Sequence, residues 1–319
     1  MKKILCVLMS CLLFVMAGCS GHSKNLKFGA ADIGGVYYSF ASTFTQLADK
    51  EIDGYTFETK ATAGSVANLR LISDGYIDLA IVQADLLSDA YNATGTFADK
   101  KYQKGYKAVA SLYTECCQIV VRKDSGITGI DDLINKTVSV GASESGTEKN
   151  AEQILKMSGI TDELINKVNM DYTEAAEKLK AGEIDAFFCT AGTRTEVIGQ
   201  LSKECDIRLI SLDDKCIDKM LSAYSLCEKY TIPAGTYNGQ DSDVTTIGVK
   251  AVLIAKQSLS DDVVKNVTKT IYEHADDFKY ATSLDITFDI NTAADGVDIP
   301  FHSGAAAYYT EHGINVLTE

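Results

Sequence analysis

Short apolar runs that favour β-strands alternate with helical patterns along almost the whole chain. The strand-like runs form two series, at residues 26–30, 56–61, 78–83 and 108–112, and then at residues 119–122, 137–141, 168–172, 185–189 and 207–211. Between them, apolar residues recur three and four positions apart, as in an amphipathic helix, for example at residues 36–48. Alternating strands and helices predict an α/β fold in which helices cover a parallel or mixed sheet.

A longer apolar run follows these two series. Residues 246–255 are apolar enough to predict a buried strand, and Ser260 comes shortly afterwards. Serine is a preferred N-cap residue, and the acidic residues Asp261 and Asp262 suit the first turn of a helix. We therefore expect a helix that begins near Ser260 and is capped by its side chain.

A four-residue motif occurs once in each series of strands. Residues 75–78 (Gly-Tyr-Ile-Asp) and residues 182–185 (Gly-Glu-Ile-Asp) both end a helical pattern with glycine and lead into an apolar strand. The repeat indicates that the two halves of the chain share a structural plan. It indicates nothing about function.

A second repeated motif carries more chemical information. Gly64-Ser65 and Gly146-Thr147 each stand at a strand-to-helix junction, and a third glycine-rich junction lies at residues 33–38. The first amides of a helix have no partner within the helix and carry about half a positive charge, and glycine lets a ligand approach closely. These junctions predict a carboxylate or another anion held between the two halves. Ordinary helix capping is the alternative, because Ser and Thr are common N-cap residues.

Composition narrows the possible partners. The chain of 319 residues has 30 Lys and Arg against 44 Asp and Glu, which gives a formal net charge of −14. A surface this acidic repels phosphate backbones, so we expect no nucleic-acid partner. The length suggests two domains at about 150 residues per domain. After the first eighteen residues, no apolar run is long enough to predict a membrane-spanning helix.

The first residues have the pattern of a secretory signal. Lys2 and Lys3 precede the apolar residues 4–16, and Ala-Gly-Cys follows at residues 17–19. This ending resembles a bacterial lipoprotein box, in which residues 1–18 are removed as the signal peptide and Cys19 is lipidated. Residues 19–25 would then tether the folded chain to the outer face of the cell membrane, or in the periplasm, with membrane contact through the lipid alone. The alternative is a plain signal peptide with an incidental cysteine.

The remaining cysteines and the histidines predict neither a metal site nor a cofactor. The six cysteines are Cys116, Cys117, Cys189, Cys205, Cys216 and Cys227. Free cysteine packs as a small apolar residue, and a chain of this length can form a core without disulfides, so we expect structural thiols. A disulfide within the group Cys205, Cys216 and Cys227 is the alternative. No C-x-x-C motif occurs and no histidine lies near a cysteine pair, which argues against zinc.

One segment bears on enzymatic activity. Residues 141–145 (Gly-Ala-Ser-Glu-Ser) nearly match the nucleophile elbow G-x-S-x-G, but Ser145 replaces the last glycine. None of the histidines stands where it is recognisable as a catalytic base, and no phosphate-binding glycine pattern occurs. We therefore expect no catalytic residues.

Seven segments, taken in order, resemble one protein family. They are IGGVYYSF from residue 33, ATAGSVANL from 61, DLAIVQAD from 78, IVVRKDS from 119, VSVGASESGTEKNA from 138, DAFFCTAG from 185 and IPAGTYNGQ from 232. Together they resemble the TAXI family, the extracytoplasmic solute receptors of TRAP transporters, over residues 26–314.

The resemblance implies a type II periplasmic-binding-protein fold, with two α/β lobes joined by hinge strands around a ligand cleft. Lobe 1 would comprise residues 26–117 and 251–319, and lobe 2 residues 118–250, with the hinge near residues 117–122 and 245–251. The resemblance also implies a monomeric receptor without cofactor. It would deliver a small carboxylate, either a glutamate-like amino acid or a dicarboxylate, to a TRAP membrane permease.

The resemblance also implies the binding residues. Lobe 1 would supply Gly35, Val36, Tyr37, Gly64, Ser65, Gln83 and Asp85, and lobe 2 would supply Ser143, Ser145, Gly146, Thr147, Asn150, Ala191, Gly192 and Thr193. Backbone amides and hydroxyl groups would bind the ligand carboxylate, and Tyr37 would form an apolar wall with a phenolic group. Asp85 would suit a ligand ammonium, or it is a solvated carboxylate at a helix start.

Several positions depart from the family pattern. Ala63 replaces a usual glycine, Arg194 and Asn238 replace usual prolines, and residues 30–32 replace a segment richer in Gly and Thr. An arginine near the cleft could bind a second carboxylate in bidentate fashion. The alternative for Arg194 is a surface position on the following helix. The role of the protein is unaffected by these differences, but the identity of the ligand depends on them.

Two other functions fit parts of the sequence. A receptor of an ABC importer shares the fold and the lipid anchor, and is distinguished by a neighbouring ATPase gene in place of a large fused permease. The second is a surface antigen that binds no small ligand, for which the supporting features are only the export signal, the acidic composition and the lipid anchor.

Overall fold

The computed structural model describes residues 24–99, 102, 105–283 and 288–319. The predicted signal peptide and Cys19 lie outside the described residues. The predicted tether overlaps them at its end, because the first strand already begins at Lys24.

Ten strands and ten α-helices are numbered here in chain order within the described residues. The strands are β1 Lys24–Gly29, β2 Tyr55–Lys60, β3 Leu79–Gln83, β4 Tyr106–Arg122, β5 Thr137–Ser139, β6 Asn166–Val168, β7 Ala186–Ala191, β8 Ile207–Leu209, β9 Cys227–Ile232 and β10 Val244–Lys256. The helices are α1 Val36–Glu51, α2 Ser65–Ser73, α3 Ala84–Asn92, α4 Gly146–Met157, α5 Tyr172–Ala181, α6 Glu196–Glu204, α7 Asp214–Ala223, α8 Asp261–Glu273, α9 Ala275–Thr282 and α10 Ser303–Glu311.

The strands form one mixed sheet that runs through both lobes. Its order is β2-β1-β3-β10-β4-β7-β5-β6, with β8 paired to β4 and β9 paired to β10. The outer strands β1, β2 and β3 pair in parallel in lobe 1, and β5, β6 and β7 do so in lobe 2. Antiparallel β4 and β10 lie between these two groups.

Strands β4 and β10 connect the lobes. The first part of β4 pairs with β10, and its residues 116–121 pair with β7 of lobe 2. β10 pairs with β9 at its start and with β3 at its end. The predicted lobe boundaries at residues 117 and 251 fall within these two strands. The pairing of β10 with β4 is irregular between Ala251 and Val252, inside the predicted hinge region.

Two clusters of buried apolar side chains form the core, one that covers lobe 1 and extends into lobe 2, and one that lies in lobe 2. In lobe 1, Phe40 of α1 stacks on Phe278 of α9 with a ring separation of 4.4 Å, and all of β3 is buried. In lobe 2, a second cluster gathers Val138 of β5, Ile154 of α4 and Phe188 of β7. Burial of a large apolar side chain contributes about 1.5–3 kcal/mol, so both clusters stabilise the fold directly.

The repeated glycine motif proves to be structural in both lobes. The Asp78 carboxylate accepts a hydrogen bond from the amide of Lys27 in β1 at 3.0 Å. The Asp185 carboxylate accepts one from the amide of Thr137 in β5 at 2.8 Å. The two aspartates therefore play equivalent roles at the start of β3 and β7.

Most strand predictions are confirmed, with three differences. The predicted runs at 108–112 and 119–122 are one continuous strand, β4. The predicted strand at 168–172 ends at Val168, because Asp171 accepts the amide of Glu174 and starts helix α5. β9 was not predicted, since its exposed face is polar and hides the strand pattern.

Helix α8 begins at Asp261, as the sequence predicts, but the predicted cap is wrong in one respect. Ser260 occupies the N-cap position and its side chain makes no capping hydrogen bond. The acidic residues Asp261 and Asp262 lie in the first turn, where their negative charges interact favourably with the positive end of the helix dipole.

The six cysteines after Cys19 are free thiols, and all except the partly exposed Cys205 are buried. Burial raises the pKa of the Cys117 thiol to about 12, so it remains protonated and unreactive at neutral pH. Within the described ranges, no helix has the length and apolarity that crossing a bilayer requires.

Candidate functional site

The starts of two helices, one from each lobe, meet between the lobes. Helix α2 follows Gly64, whose φ is 116°, and helix α4 follows Ser145. A Cβ atom built on Gly64 would lie 3.6 Å from the Cα of Ser145. The start of α1, which follows Gly35, lies at the same place. The repeated motifs of the sequence therefore face each other across the lobe boundary.

Glycine at position 146 leaves room for this close approach. A Cβ on Gly146 would overlap the side-chain amide of Gln83, which reaches across from the end of β3. Gln83 also donates its Nε2 to Asn150 Oδ1 at 3.0 Å, which fixes its orientation between the lobes.

A cavity lies where these helices meet. Its lining comes from both lobes: Ala31, Asp32, Gly35, Val36, Tyr37, Ala63, Gly64, Ser65, Gln83, Glu115, Ala142, Ser145, Gly146, Thr147, Asp171, Tyr172, Thr190 and Ala191.

The structure brings ten of the residues named from the sequence to this cavity. They are Gly35, Val36, Tyr37, Gly64, Ser65, Gln83, Ser145, Gly146, Thr147 and Ala191. The remaining five, Asp85, Ser143, Asn150, Gly192 and Thr193, lie outside the lining.

Three of the five residues outside the lining lie near its edge or at the surface, and Thr193 is half-buried in the turn before α6. Asn150 contacts the site through Gln83, and Ser143 is exposed to solvent. The Gly192 carbonyl accepts the Thr195 hydroxyl at 2.6 Å, in the turn before α6.

Asp85 is buried at the start of α3 and does not line the cavity. Burial raises the pKa of its carboxyl to about 6, so it is not the solvated carboxylate considered from the sequence. Arg194, which was considered for a second ligand carboxylate, is exposed and also lies outside the lining.

The most deeply buried acidic residue of the site, Glu115, is not among the residues named from the sequence. Glu115 is 3% exposed, lies in β4 and lines the cavity. Its Oε2 accepts the Tyr37 hydroxyl at 2.8 Å, and the Gln83 side chain lies beside it. Burial raises the pKa of the Glu115 carboxyl to about 8, and these two neighbours offset part of that shift.

Two other acids line the cavity, and backbone amides bind both. Asp32 Oδ2 accepts the amide of Tyr172 at 2.9 Å, and Asp171 caps α5 by accepting the amide of Glu174 at 2.8 Å. Their charges are therefore compensated by the positive end of helix α5.

Tyr172 and Thr147 form a hydrogen-bonded group on the lobe 2 wall. Their hydroxyl groups are 2.6 Å apart, and Tyr172 also donates to the carbonyl of Thr190 at 2.9 Å. The Thr147 hydroxyl accepts the amide of Thr190 at 3.2 Å. This group orients the first turn of α4 toward the cavity.

Polar contacts outside the cavity hold the lobes together. Arg70 of α2 forms a bidentate pair with Glu144 of lobe 2, with N–O distances of 3.2 and 2.6 Å. The amide of Ala67 also donates to the Glu144 carbonyl at 3.1 Å. Together with Asp32 and Tyr172 on another side of the cavity, these contacts define a closed arrangement of the lobes.

Comparison with known proteins places this architecture. A profile of the NMT1-like family matches residues 28–313. The chain belongs to the NMT1-like family. Among solved structures, this NMT1-like protein resembles PhnD1 of Prochlorococcus marinus in complex with methylphosphonate, with a TM-score of 0.58 and 12% identity over 83% of this chain and 93% of that chain.

Two further structures share the fold with this NMT1-like protein. The periplasmic binding protein BugD matches with a TM-score of 0.55 and 11% identity, over 81% of this chain and 85% of that chain. A putative L-cystine ABC transporter of Listeria monocytogenes matches with a TM-score of 0.52 and 12% identity, over 82% and 94%. The predicted two-lobed fold of periplasmic binding proteins is thereby confirmed.

In the part of the chain that the structure describes, no three side chains of His, Cys, Asp or Glu come together in a way that could hold a metal ion.

Proposed function

We propose that this protein is an extracytoplasmic solute receptor that captures a small carboxylate between its two lobes. The observation that supports the proposal is the meeting of helix starts α2 and α4 at one cavity. The N-caps of α1 and α2 are glycines without a capping side chain. In the first turns of α2 and α4, the Ala67 amide donates to the Glu144 carbonyl and the Glu148 amide donates to the Ser145 hydroxyl, so the proposal concerns the amides that precede these two. Such amides bind anions through their N–H groups and the helix dipole.

Closure of the lobes is the proposed means of capture. A ligand carboxylate can contact the start of α2 and the start of α4 together only when the lobes are closed. Binding energy is therefore gained in the closed form and not in the open form, which shifts the population toward closure. Strands β4 and β10 are the connections about which the lobes would turn.

The proposed transport partner is the membrane permease of a TRAP transporter. The resemblance of seven ordered segments to the TAXI receptors supports this choice. In the same proposal the signal peptide is removed and Cys19 carries a lipid, so the receptor stays beside the permease without entering the membrane. No catalytic step is proposed.

A receptor for an ABC importer is the second candidate. The fold similarity to the putative L-cystine ABC transporter of Listeria monocytogenes favours it. The genes beside this one distinguish the candidates, because a TRAP system needs a large permease and an ABC importer needs an ATPase with a separate permease.

Titration calorimetry of the purified protein against small carboxylates tests the proposed function. We expect at least one to bind with one-to-one stoichiometry, and to raise the unfolding free energy by about 2.7 kcal/mol at 100 times its Kd. Small-angle scattering should show the lobes closed with the ligand and more open without it. A panel in which nothing binds, or turnover of any member, would contradict the proposal.

A further inference from the structure

We infer that the cavity between the lobes is built for a zwitterion with an uncharged remainder: a small amino acid whose ammonium group binds Glu115 and the Gln83 side-chain oxygen, and whose carboxylate binds the helix starts. The inference rests on the proposed function and narrows its ligand. It excludes dicarboxylates and acidic amino acids from the preferred ligands.

The charges of the lining give the first argument. The cavity is lined by three carboxyl groups, those of Asp32, Glu115 and Asp171, and by no lysine, arginine or histidine. A dicarboxylate would bring two negative charges into this lining without a single positive side chain to meet them. A ligand that carries one positive charge removes the conflict, because opposite charges in a partly desolvated site attract strongly.

Glu115 is the acid that lacks compensation. Asp32 and Asp171 accept backbone amides at the start of α5, whereas Glu115 accepts the neutral hydroxyl of Tyr37. Among the ion pairs of the described residues, none includes Glu115. The other titratable groups that act on it or on its neighbours are also acids, phenols or thiols: Tyr37 of α1, Asp85 of α3, Tyr113 and Cys116 of β4, Tyr172 of α5 and Cys189 of β7.

Gln83 supplies a second, independent acceptor. Its side chain is 2% exposed, and Asn150 holds its Nε2, so the amide cannot turn without losing that bond. The opposite atom, Oε1, is buried and has no donor among the described residues. A buried amide oxygen without a partner is costly, and a ligand N–H group would satisfy it.

One ligand can reach both ends of the site because Gln83 touches both. Its side chain lies beside the Glu115 carboxyl, and its Oε1 is the atom nearest the position that a Cβ on Gly146 would occupy. A ligand N–H group that binds Oε1 would therefore lie beside the start of α4, where the carboxylate of the same ligand would bind.

The burial of Glu115 is consistent with this role. Burial holds its pKa at about 8, so at neutral pH the carboxyl is largely protonated until a cation arrives. Binding of an ammonium then stabilises the carboxylate, and one proton leaves Glu115 for the solvent.

Calorimetry with matched pairs tests the inference. The probes are the uncharged L-amino acids, each beside the carboxylic acid that lacks only the amino group, such as L-alanine beside propionate, and L-glutamate beside glutarate. We expect an uncharged L-amino acid to bind, and its deaminated partner to bind at least about 30-fold more weakly. L-glutamate and glutarate should bind more weakly than the best uncharged amino acid.

The Glu115→Gln variant tests the residue assignment. It keeps the shape of the side chain and removes the charge, and we expect the amino acid to bind at least about 30-fold more weakly. The variant should unfold at the same temperature as the parent or a higher one, because a buried ionisable group has been neutralised. Glu163→Gln, at an exposed position outside the cavity, is the matched control and should bind as the parent does.

The outcomes separate the inference from the proposed function. If glutarate or propionate binds as tightly as the amino acids, and Glu115→Gln leaves affinity unchanged, the inference is wrong while the receptor function stands. If no probe binds, with or without an amino group, both are wrong.

Discussion

Gly64 and Gly146 allow the lobes to touch, and they do so in different ways. Gly64 has a φ of 116°, which other residues adopt only with strain, so its substitution disturbs the fold. Gly146 has no such φ, and what a Cβ would meet there is the Gln83 side chain from the other lobe. A substitution at position 146 therefore tests lobe closure, whereas a substitution at position 64 mainly affects folding.

We predict that Gly146→Ala weakens ligand binding at least about tenfold, because Gln83 must move away from the start of α4 before the lobes can close. Unfolding in urea should change by less than about 1 kcal/mol, since the obstacle is one flexible side chain. Gly199→Ala is the control: it lies in α6 with nothing near its Cβ, and should leave affinity unchanged. Equal affinities in all three proteins would mean that closure does not bring Gln83 against α4.

Thr147 is predicted to matter for stability as well as for binding. Its hydroxyl is 2.6 Å from the Tyr172 hydroxyl and accepts the amide of Thr190. Thr147→Val keeps the shape and leaves the Thr190 amide without its acceptor, while the Tyr172 hydroxyl keeps its bond to the Thr190 carbonyl, so we expect a loss of about 1–3 kcal/mol in urea unfolding. Thr147→Ser retains the hydroxyl and should lose less than half as much. A valine variant as stable as the parent would show that water replaces the hydroxyl.

At the scale of elements, the starts of the helices could be predicted from the sequence because their signals are local. Glycine followed by a hydroxyl residue marks the starts of α2 and α4, and both glycines lie in the lining. The same motif places one asparagine in each helix, at Asn68 and Asn150, and the sequence could not show that the two have different partners. Asn68 donates to the carbonyls of Ala30 and Ile81 within lobe 1, whereas Asn150 binds Gln83 across the lobes.

Glu115 could not be predicted because its role depends on contacts between distant parts of the chain. It lies within β4, a buried strand of seventeen residues, between Thr114 and Cys116. A single acid in an apolar strand has no local partner that reveals its function. Only the packing of Tyr37, 78 residues earlier, and of Gln83 against it identifies a polar pocket there.

The pair between Arg70 of α2 and Glu144 of lobe 2 is predicted to favour closure modestly. Both side chains are about one-third or more exposed, so solvent screens the pair and its contribution is about 0.2–1 kcal/mol. Arg70→Met should therefore raise the ligand Kd by about fivefold at most, and the effect should shrink in high salt. Lys265→Met, which removes a similar pair to Glu311 within lobe 1, is the control. A larger effect of Lys265→Met would contradict a role for closure.

For the molecule as a whole, Glu115 predicts a pH dependence of stability. Its pKa is raised from an ordinary value of 4.5 to about 8, so between these pH values the folded state keeps a proton that the unfolded state has lost. The unfolding free energy therefore falls as the pH rises through this range, by up to about 1.4 kcal/mol per unit from this group.

Urea unfolding of the parent and of Glu115→Gln at a series of pH values isolates this contribution. The difference between the two proteins should grow from about pH 4.5 to pH 8 and then level off, because contributions from groups that do not interact with Glu115, such as His302, cancel. A difference that does not vary with pH would show that Glu115 has an ordinary pKa.

The cavity is bounded by atoms of both lobes, and polar contacts join the lobes on more than one of its sides. A captured molecule can therefore escape only after the lobes separate, so its residence time follows the opening rate. Solutes that stabilise the closed form more strongly should then leave more slowly. A membrane component that receives the solute would therefore release it most effectively by separating the lobes, and not by competing for the solute.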